Sequence, residues 1–158
     1  MKLLRAHQNG WEYELNPNEA NCLRMLLQYL PLTPAFPGQI SRAGNGDKET
    51  ERTQLLNESL AVHRETLKQK TLKFLATDRL KPEDTGCRLR LGPEEKEFLL
   101  QLLNHIRVSS WRALGAPENL EGVAAESRDR SPDYFMLMEL AGFFEGQLLQ
   151  IELGQQPG

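Results

Sequence analysis

Polar side chains interrupt a strongly patterned apolar helix in the second half of the chain, at Asn104, Arg107 and Arg112. Asn104 and Arg107 are three residues apart, so they share one edge of the helix. A partly buried guanidinium needs hydrogen-bonded compensation, which Glu139 or Glu145 on the last apolar helix could supply. The five side chains therefore predict either a structural polar cluster or a small pocket that recognises an anion or a partner protein.

Catalytic and metal-binding chemistry has no recognisable pattern in this sequence. The three histidines, His7, His63 and His105, are not spaced with acids or cysteines as zinc ligands are. Glycine-rich nucleotide motifs, a phosphate-binding loop and a nucleophile elbow are also missing from the sequence. The sequence predicts no catalytic residue, no metal and no cofactor, and it disfavours an enzyme.

A basic segment at 63–81 offers a different chemistry, because Arg64, Lys68, Lys70 and Lys73 lie among few acids. Such side chains could contact phosphates. The segment has no helix-turn-helix signature and no interleaved aromatic residues, and the net charge of the chain is −3. We interpret the segment as a helix face exposed to solvent. The alternative is that the segment binds nucleic acid.

The class of protein follows from length and composition. A chain of 158 residues suits a single domain spanning 1–158 with one hydrophobic core. Its 39% hydrophobic and 26% charged residues are typical of globular proteins. The sequence has neither an apolar run of about 20 residues, as a membrane helix needs, nor a signal-peptide pattern. We expect a cytoplasmic protein with no membrane partner, in which Cys22 and Cys87 are reduced thiols.

Apolar periodicity and helix breakers predict a mainly α (α+β) fold, a bundle of about four main helices with a small three-stranded antiparallel sheet. The predicted elements are a hairpin at 1–15, a helix at 17–30, a loop at 31–47, a helix at 48–78, a strand at 87–91, a helix at 93–114, a connector with one helical turn at 116–130, and a helix at 132–153.

The strongest local signals are at the starts of two helices. Asn9-Gly10 predicts a hairpin turn, and the strand after it has one apolar and one solvated face. Asn16-Pro17-Asn18-Glu19 resembles a capping box with proline at the first helical position. Gly92-Pro93 begins a helix in the same way, 76 residues later. The strand at 87–91 is therefore predicted to join the hairpin, because three strands are more stable than an isolated pair.

The last predicted helix begins with Ser131-Pro132-Asp133, where Ser131 has the character of a cap. Apolar residues cover most of its circumference, which predicts a central position. We expect it to pack against the helix at 93–114 and the other helices to surround this pair.

Three motifs resemble a family of small bacterial proteins, mostly actinobacterial, that is known as a domain of unknown function. The matching segments are Leu-x-Pro-x-Glu at 15–19, Leu-Asn-x-x-Arg at 103–107 with Arg-x-Leu-Gly at 112–115, and an aromatic and leucine-rich helix at 134–149. The chain departs from the family pattern in a shorter proline-rich connector at 31–46 and in Trp111.

The resemblance implies a helical fold with a small sheet and no known reaction. Family members are often encoded near an adaptor of the Clp protease, and some carry a transcription-regulator label. The favoured hypothesis is a non-enzymatic cytoplasmic protein–protein interaction or accessory module linked to Clp-type regulated proteolysis. Its partner would be another protein, self-association is left open, and a weak nucleic-acid-binding regulator is the alternative.

Overall fold

The computed structural model describes residues 1–29, 46–76, 80–83, 86–128 and 133–153. Within these ranges the predicted fold class is confirmed, since helices dominate and the strands form one small antiparallel sheet. The elements in chain order are β1 Lys2–His7, β2 Gly10–Leu15, α1 Pro17–Tyr29, α2 Gly46–Ala76, β3 Leu80–Glu83, β4 Gly86–Leu91, α3 Pro93–Ala113, α4 Val123–Ser127 and α5 Tyr134–Leu153.

The boundaries differ from the predicted ones at several ends. Residues 31–45 of the predicted loop at 31–47 lie outside the described residues. Residues 46 and 47 belong to α2.

In the connector at 116–130, α4 is the predicted helical turn. Gly115 follows α3 with a φ of +90°, a conformation that favours glycine after a helix. The chain therefore stops α3 where its sequence predicts.

The sheet has the strand order β1-β2-β4-β3, with antiparallel neighbours throughout. The hairpin and the strand at 86–91 are adjacent, as the sequence predicts. The described sheet also contains β3, which the sequence did not indicate because the strand has four residues and includes Pro82. Proline lacks the N–H that a central strand needs, and β3 accordingly lies at the edge of the sheet.

The two strand–proline–helix units meet about a local two-fold axis. Tyr13 pairs with Leu89, its equivalent 76 residues later in the chain. Gly10 and Gly86 are also equivalent, and a Cβ on either would lie under 3.0 Å from a carbonyl oxygen, that of Leu91 or that of Leu15 respectively. These two glycines are required by the same close backbone approach on opposite sides of the axis.

Both helix starts use the predicted chemistry. In α1 the backbone N–H of Glu19 donates to Asn16 Oδ1 at 2.8 Å, and the N–H of Asn16 donates to Glu19 Oε2 at 2.9 Å. This reciprocal pair is a complete capping box. In α3 the Gly92 N–H donates to Glu95 Oε2, so only the carboxylate half of the box is present, because glycine has no side chain.

The core lies between one face of the sheet and the helices α1, α3 and α5. Its buried apolar residues include Tyr13, Leu15, Leu23, Leu26, Leu27, Leu89, Leu91, Leu99, Leu102, Leu103, Ile106, Leu137, Ala141, Phe144 and Leu148. As predicted, α3 and α5 make the most extensive helix–helix contact. None of the helices in the described ranges combines the length and the apolar character that crossing a membrane requires.

The solvated face predicted for β2 needs a correction at Glu12, which is buried. Two arginines on β4 cover its carboxylate, with Arg88 Nη1 at 3.1 Å and Arg90 Nε at 3.2 Å from Oε1. The alternation of faces along β2 is present. Cross-strand pairing nevertheless removes this acid from water, which a strand read alone cannot show.

Helix α2 joins the core through its C-terminal half. Leu67, Thr71 and Phe74 are buried there. The ring of Phe74 lies 6.3 Å from that of Phe98, and the ring of His63 lies 6.5 Å from that of His105. These contacts make α2 antiparallel to α3. In the half that precedes His63, no described side chain is buried.

Helix α5 begins later and is less enclosed than the sequence predicts. Asp133 is its N-cap, since its Oδ1 accepts the Met136 N–H at 3.1 Å, whereas the predicted cap Ser131 lies outside the described residues. The predicted central position is wrong for one face, because Phe143 is 44% exposed and Leu149 is 42% exposed. Neighbouring helices cover α5 from one side, so its extra apolar residues face outward.

Candidate interaction groove

A groove of about 560 Å³ runs between the outer sides of α3 and α5. Its walls are lined by Arg107, Val108, Trp111, Leu120, Met138, Glu139, Gly142 and Phe143. Leu120 comes from the connector between α3 and α4. The groove therefore depends on three separate parts of the chain, which only the fold brings together.

The walls of the groove carry large apolar side chains that are open to water. Trp111 is 39% exposed, Leu120 is 40% exposed and Phe143 is 44% exposed. Met136, seven residues before Phe143 on α5, is 39% exposed and extends this surface. Contiguous apolar surface of this kind is typical of binding sites for other proteins.

A hydrogen bond of Trp111 and the missing side chain of Gly142 shape the groove. The indole Nε1–H of Trp111 donates to the carbonyl oxygen of Pro117 at 3.2 Å, which fixes the ring against the connector. Gly142 has no side chain on the α5 wall, and a Cβ there would lie 3.7 Å from Cδ of Arg107. The aliphatic part of Arg107 therefore lies against α5 at Gly142.

Arg107, which lines the groove, is bound to two other predicted residues, Asn104 and Glu145. Arg107 Nη2–H donates to Asn104 Oδ1 at 3.3 Å, and Arg107 Nη1 lies 3.3 Å from Glu145 Oε2. The side chain of Glu145 is 14% exposed and that of Arg107 is 47% exposed. The predicted pairing of Arg107 with Glu139 or Glu145 is thus made with Glu145.

This ion pair leaves hydrogen-bonding capacity unused. Glu145 Oε2 is buried and accepts no hydrogen bond from the described residues, since Arg107 Nη1 is near it but poorly aligned. A guanidinium has five N–H donors, and Arg107 is half-exposed. The remaining donors can reach an acceptor that enters the groove.

Glu139 and Arg112 do not belong to the cluster that Asn104, Arg107 and Glu145 form. Glu139 is exposed and lines the groove. Arg112 is exposed on the side of α3 that faces α2, where its charge acts on His105. The structure therefore joins Asn104, Arg107 and Glu145, places Glu139 on the same groove as Arg107, and separates Arg112 from them.

The histidine pair at the contact of α2 with α3 lies in a positively charged environment. Burial lowers the pKa of His105 below 6.5, and the charges of His63, Arg64 and Arg112 lower this pKa further. A neutral imidazole is favoured there because a proton would be both desolvated and repelled.

The basic residues of the nucleic-acid alternative do not form one stripe. Arg64 and Lys68 are half-buried on the inner edge of α2, whereas Lys70 and Lys73 are exposed on its other side. A phosphate backbone could contact one of these pairs at a time. Nucleic-acid binding remains a prediction that this arrangement does not strengthen.

Sequence reasoning missed the apolar walls of the groove. Trp111, Leu120 and Phe143 were not among the predicted site residues, although α5 had more apolar side chains than one buried face needs. That excess was the available signal. Within the described ranges, the structure contains no group of three or more histidine, cysteine or acidic side chains that could hold a metal ion.

Comparisons with family models, with curated proteins and with solved structures give no match for this chain. The resemblance to a bacterial domain of unknown function therefore stays a prediction. The groove between α3 and α5 is the observation from which a function can be argued.

Proposed function

We propose that this protein is a non-enzymatic protein–protein interaction module that holds an apolar segment of a partner protein in the groove between α3 and α5. The observation that carries the proposal is the exposure of Trp111, Leu120 and Phe143 around one concave surface. A folded chain gains nothing from leaving such side chains in water, so a partner that covers them supplies a reason for their position.

The apolar walls supply most of the binding free energy in this proposal. Burying a large apolar side chain stabilises a complex by about 1.5–3 kcal/mol. Tryptophan is enriched among residues that dominate binding energy in protein interfaces, and Trp111 is held in place by its hydrogen bond to Pro117. Because that ring is already ordered, binding loses little conformational entropy.

Arg107 supplies the polar recognition. Its guanidinium is half-exposed and tied on one side to Asn104 and Glu145. Arginine forms paired hydrogen bonds with carboxylates, and one of its N–H groups can donate to a carbonyl oxygen. We therefore expect the partner segment to be apolar, with an acidic side chain or a free carbonyl group at the end that meets Arg107.

The resemblance found in the sequence directs the search for a partner. It suggests an accessory role in Clp-type regulated proteolysis in the cytoplasm. Purified components of such a system are the first candidates to be tested for binding to the groove.

The test is quantitative capture of partner proteins from the native cell by wild-type protein and by a double variant, Trp111→Ala with Phe143→Ala. The control is Leu4→Ala, which removes an apolar side chain that is 38% exposed on β1. We expect wild type and Leu4→Ala to retain the same partner and the double variant to lose at least about tenfold in affinity, as removal of two apolar anchors predicts.

Circular dichroism of the variants checks that the fold is intact. Equal capture by all three proteins would contradict the proposal. The proposal would also be contradicted if a broad substrate screen found a small molecule that the protein converts, and if the groove variant converted it at the same rate as wild type.

The alternative function, weak nucleic-acid binding through Arg64, Lys68, Lys70 and Lys73, makes a separate prediction. Binding to DNA should then weaken steeply as salt increases, because phosphate contacts release counterions. Retention that is independent of salt, or no retention at low salt, would reject this alternative.

A further inference from the structure

The two edges of the described sheet differ in their capacity to pair with another strand. β3 forms one edge with only four residues, and its Pro82 has no N–H to donate. β1 forms the other edge with six residues, none of which is proline or glycine. Every residue of β1 except Leu3 is exposed. Such an edge strand presents backbone N–H and C=O groups to which a further strand can bind.

The face of the sheet that points away from the core is charged, and the sign of the charge alternates from strand to strand. Two rows of side chains cross this face from β1 through β2 to β4. The rows consist of Lys2 with Glu14 and Arg88, and of Arg5 with Glu12 and Arg90. Each row therefore has a cation on β1, an acid on β2 and a cation on β4.

The two cations of β1 are not neutralised within the described ranges. Both arginines of β4 lie against the carboxylate of Glu12. Lys2 and Arg5 are exposed, and neither of them forms an ion pair with a described residue. The alternation of charge thus ends on a cation at the open edge, and an acid on a further strand would continue it.

We infer that β1 binds an acidic, extended segment of another protein as a further strand of the sheet. Backbone hydrogen bonds to β1 hold the segment, as in other cases of strand addition. Its acidic side chains occur at every second residue, because alternate residues of a strand share one face, and they pair with Lys2 and Arg5. The residues between these acids lie beside Leu3 and Ala6 and are therefore apolar.

A second copy of this chain fits this edge poorly. β1 contains no acidic residue, so pairing β1 with β1 would bring only further cations to Lys2 and Arg5. Like charges opposite each other destabilise a sheet. Pairing β1 with β3 of another copy would place Pro82 in the interior of a sheet, where its missing N–H is unfavourable. Charge complementarity therefore favours an acidic segment of a different protein.

The shape of β1 limits the strength of this contact. The register of β1 against β2 shifts between Leu3 and Arg5, as at a β-bulge, and bulges restrict pairing at the edges of sheets. The contact is therefore short. Its exposed ion pairs are screened by salt, so we expect weak binding that decreases as the salt concentration rises.

The experiment titrates the full-length protein with a blocked synthetic peptide, Thr-Val-Glu-Val-Glu-Val-Thr, in a calorimeter at low salt. A second peptide has lysine in place of both glutamates, and a third has proline in place of the central valine. We expect each of these two peptides to bind at least about fivefold more weakly than the first. The lysines meet like charges, and the proline removes a backbone donor.

A neutral variant of β1, Lys2→Gln with Arg5→Gln, tests the two cations. It should bind the glutamate and the lysine peptides equally, because both charges that distinguish them are gone. The matched control is Lys70→Gln with Lys73→Gln, which removes the same charge from exposed positions on α2 and should bind as wild type does. Thermal unfolding shows whether each variant is folded.

Amide hydrogen exchange separates strand addition from a contact made by charge alone. Saturating glutamate peptide should slow the exchange of β1 amides, because new backbone hydrogen bonds protect them. Unchanged exchange in β1 would overturn the inference, and so would equal affinity of wild type for the glutamate and lysine peptides or binding of neither. The groove variant Trp111→Ala with Phe143→Ala should bind the glutamate peptide normally, so this inference can fail without the proposed function failing.

Discussion

Individual residues show how this chain treats polar groups that it removes from water. Lys96 is 2% exposed, and its Nζ lies 4.1 Å from the centre of the Trp11 ring. Glu12 is held between Arg88 and Arg90. A buried charge is costly unless other groups compensate it, so both side chains depend on neighbours that are distant in sequence.

Trp11→Leu should lower the free energy of unfolding by about 1–2 kcal/mol, because a desolvated cation–π contact and part of the ring packing are lost. Urea denaturation followed by circular dichroism measures this change. Trp111→Leu is the control, and it should cost less because Trp111 is 39% exposed. Equal losses in the two variants would show that the contact with Lys96 adds nothing to ring burial.

Ser110→Ala should leave stability unchanged or raise it by up to about 1 kcal/mol. The hydroxyl of Ser110 is fully buried and has no hydrogen-bond partner among the described residues. Removing a buried polar group that is unpaired removes its desolvation cost. Thermal unfolding of the variant gives the answer, and a marked destabilisation would indicate a partner outside the described ranges.

At the scale of elements, the helix starts follow local chemistry closely. The sequence predicted the capping box of α1 and the Gly92-Pro93 start of α3, because capping involves side chains within three residues of each other. The extent of burial on α2 and α5 was not predictable in this way. It depends on which neighbouring helices cover each face.

Asn16→Ala should lower the free energy of unfolding by about 1 kcal/mol, since the first turn of α1 loses the acceptor of the Glu19 N–H. Chemical denaturation measures the loss. Asn18→Ala changes the same residue type two positions later, where the side chain is exposed, and should alter stability by no more than a few tenths of a kcal/mol. Similar losses at both positions would argue against the capping box.

The whole molecule should lose stability on acidification, in two stages. His105 has a pKa lowered from 6.5, mainly by burial, so the unfolded chain takes up this proton first and stability falls as the pH drops below about 6.5. In the second stage carboxyl groups bind protons. Glu12 and Glu19 have pKa values below 4.5, and Asp133 has one below 3.8.

Each carboxyl has a physical cause for its lowered pKa. Burial opposes the shift at Glu12, but hydrogen bonds and charge from Arg90 and Arg88 outweigh it. At Glu19 burial is likewise outweighed, by the N-terminal amine and the Asn16 N–H. At Asp133 the hydrogen bond from Ser127 dominates. A group with a depressed folded pKa stabilises the fold above its unfolded pKa and loses that contribution as pH falls through the folded value.

Urea midpoints measured from pH 8 to pH 3 test this prediction. His105→Gln should remove the first stage and leave the second, because glutamine has no ionisable group in place of the His105 imidazole. A wild-type midpoint that stays constant between pH 7 and pH 5 would contradict the assignment of the first stage to His105.

The sequence alone determined the local features of this protein. The Asn9-Gly10 turn and the two proline-led helix starts were predicted correctly, because each depends on residues close together in the chain. The same reasoning predicted that Arg107 would pair with Glu139 or Glu145, since a charged residue within an apolar stripe needs a partner, and the structure shows the pair with Glu145.

The tertiary structure decided which surfaces stay open. The groove joins Trp111 of α3, Leu120 of the connector and Phe143 of α5. Among the described residues, Leu55, Val62 and Leu72 of α2 stay exposed, because α3 contacts the other side of that helix. The pairing of β2 with β4 about Tyr13 and Leu89, and the edge strand β3, are likewise non-local. Apolar periodicity shows that a face must be covered, but only the packing of distant elements determines what covers it.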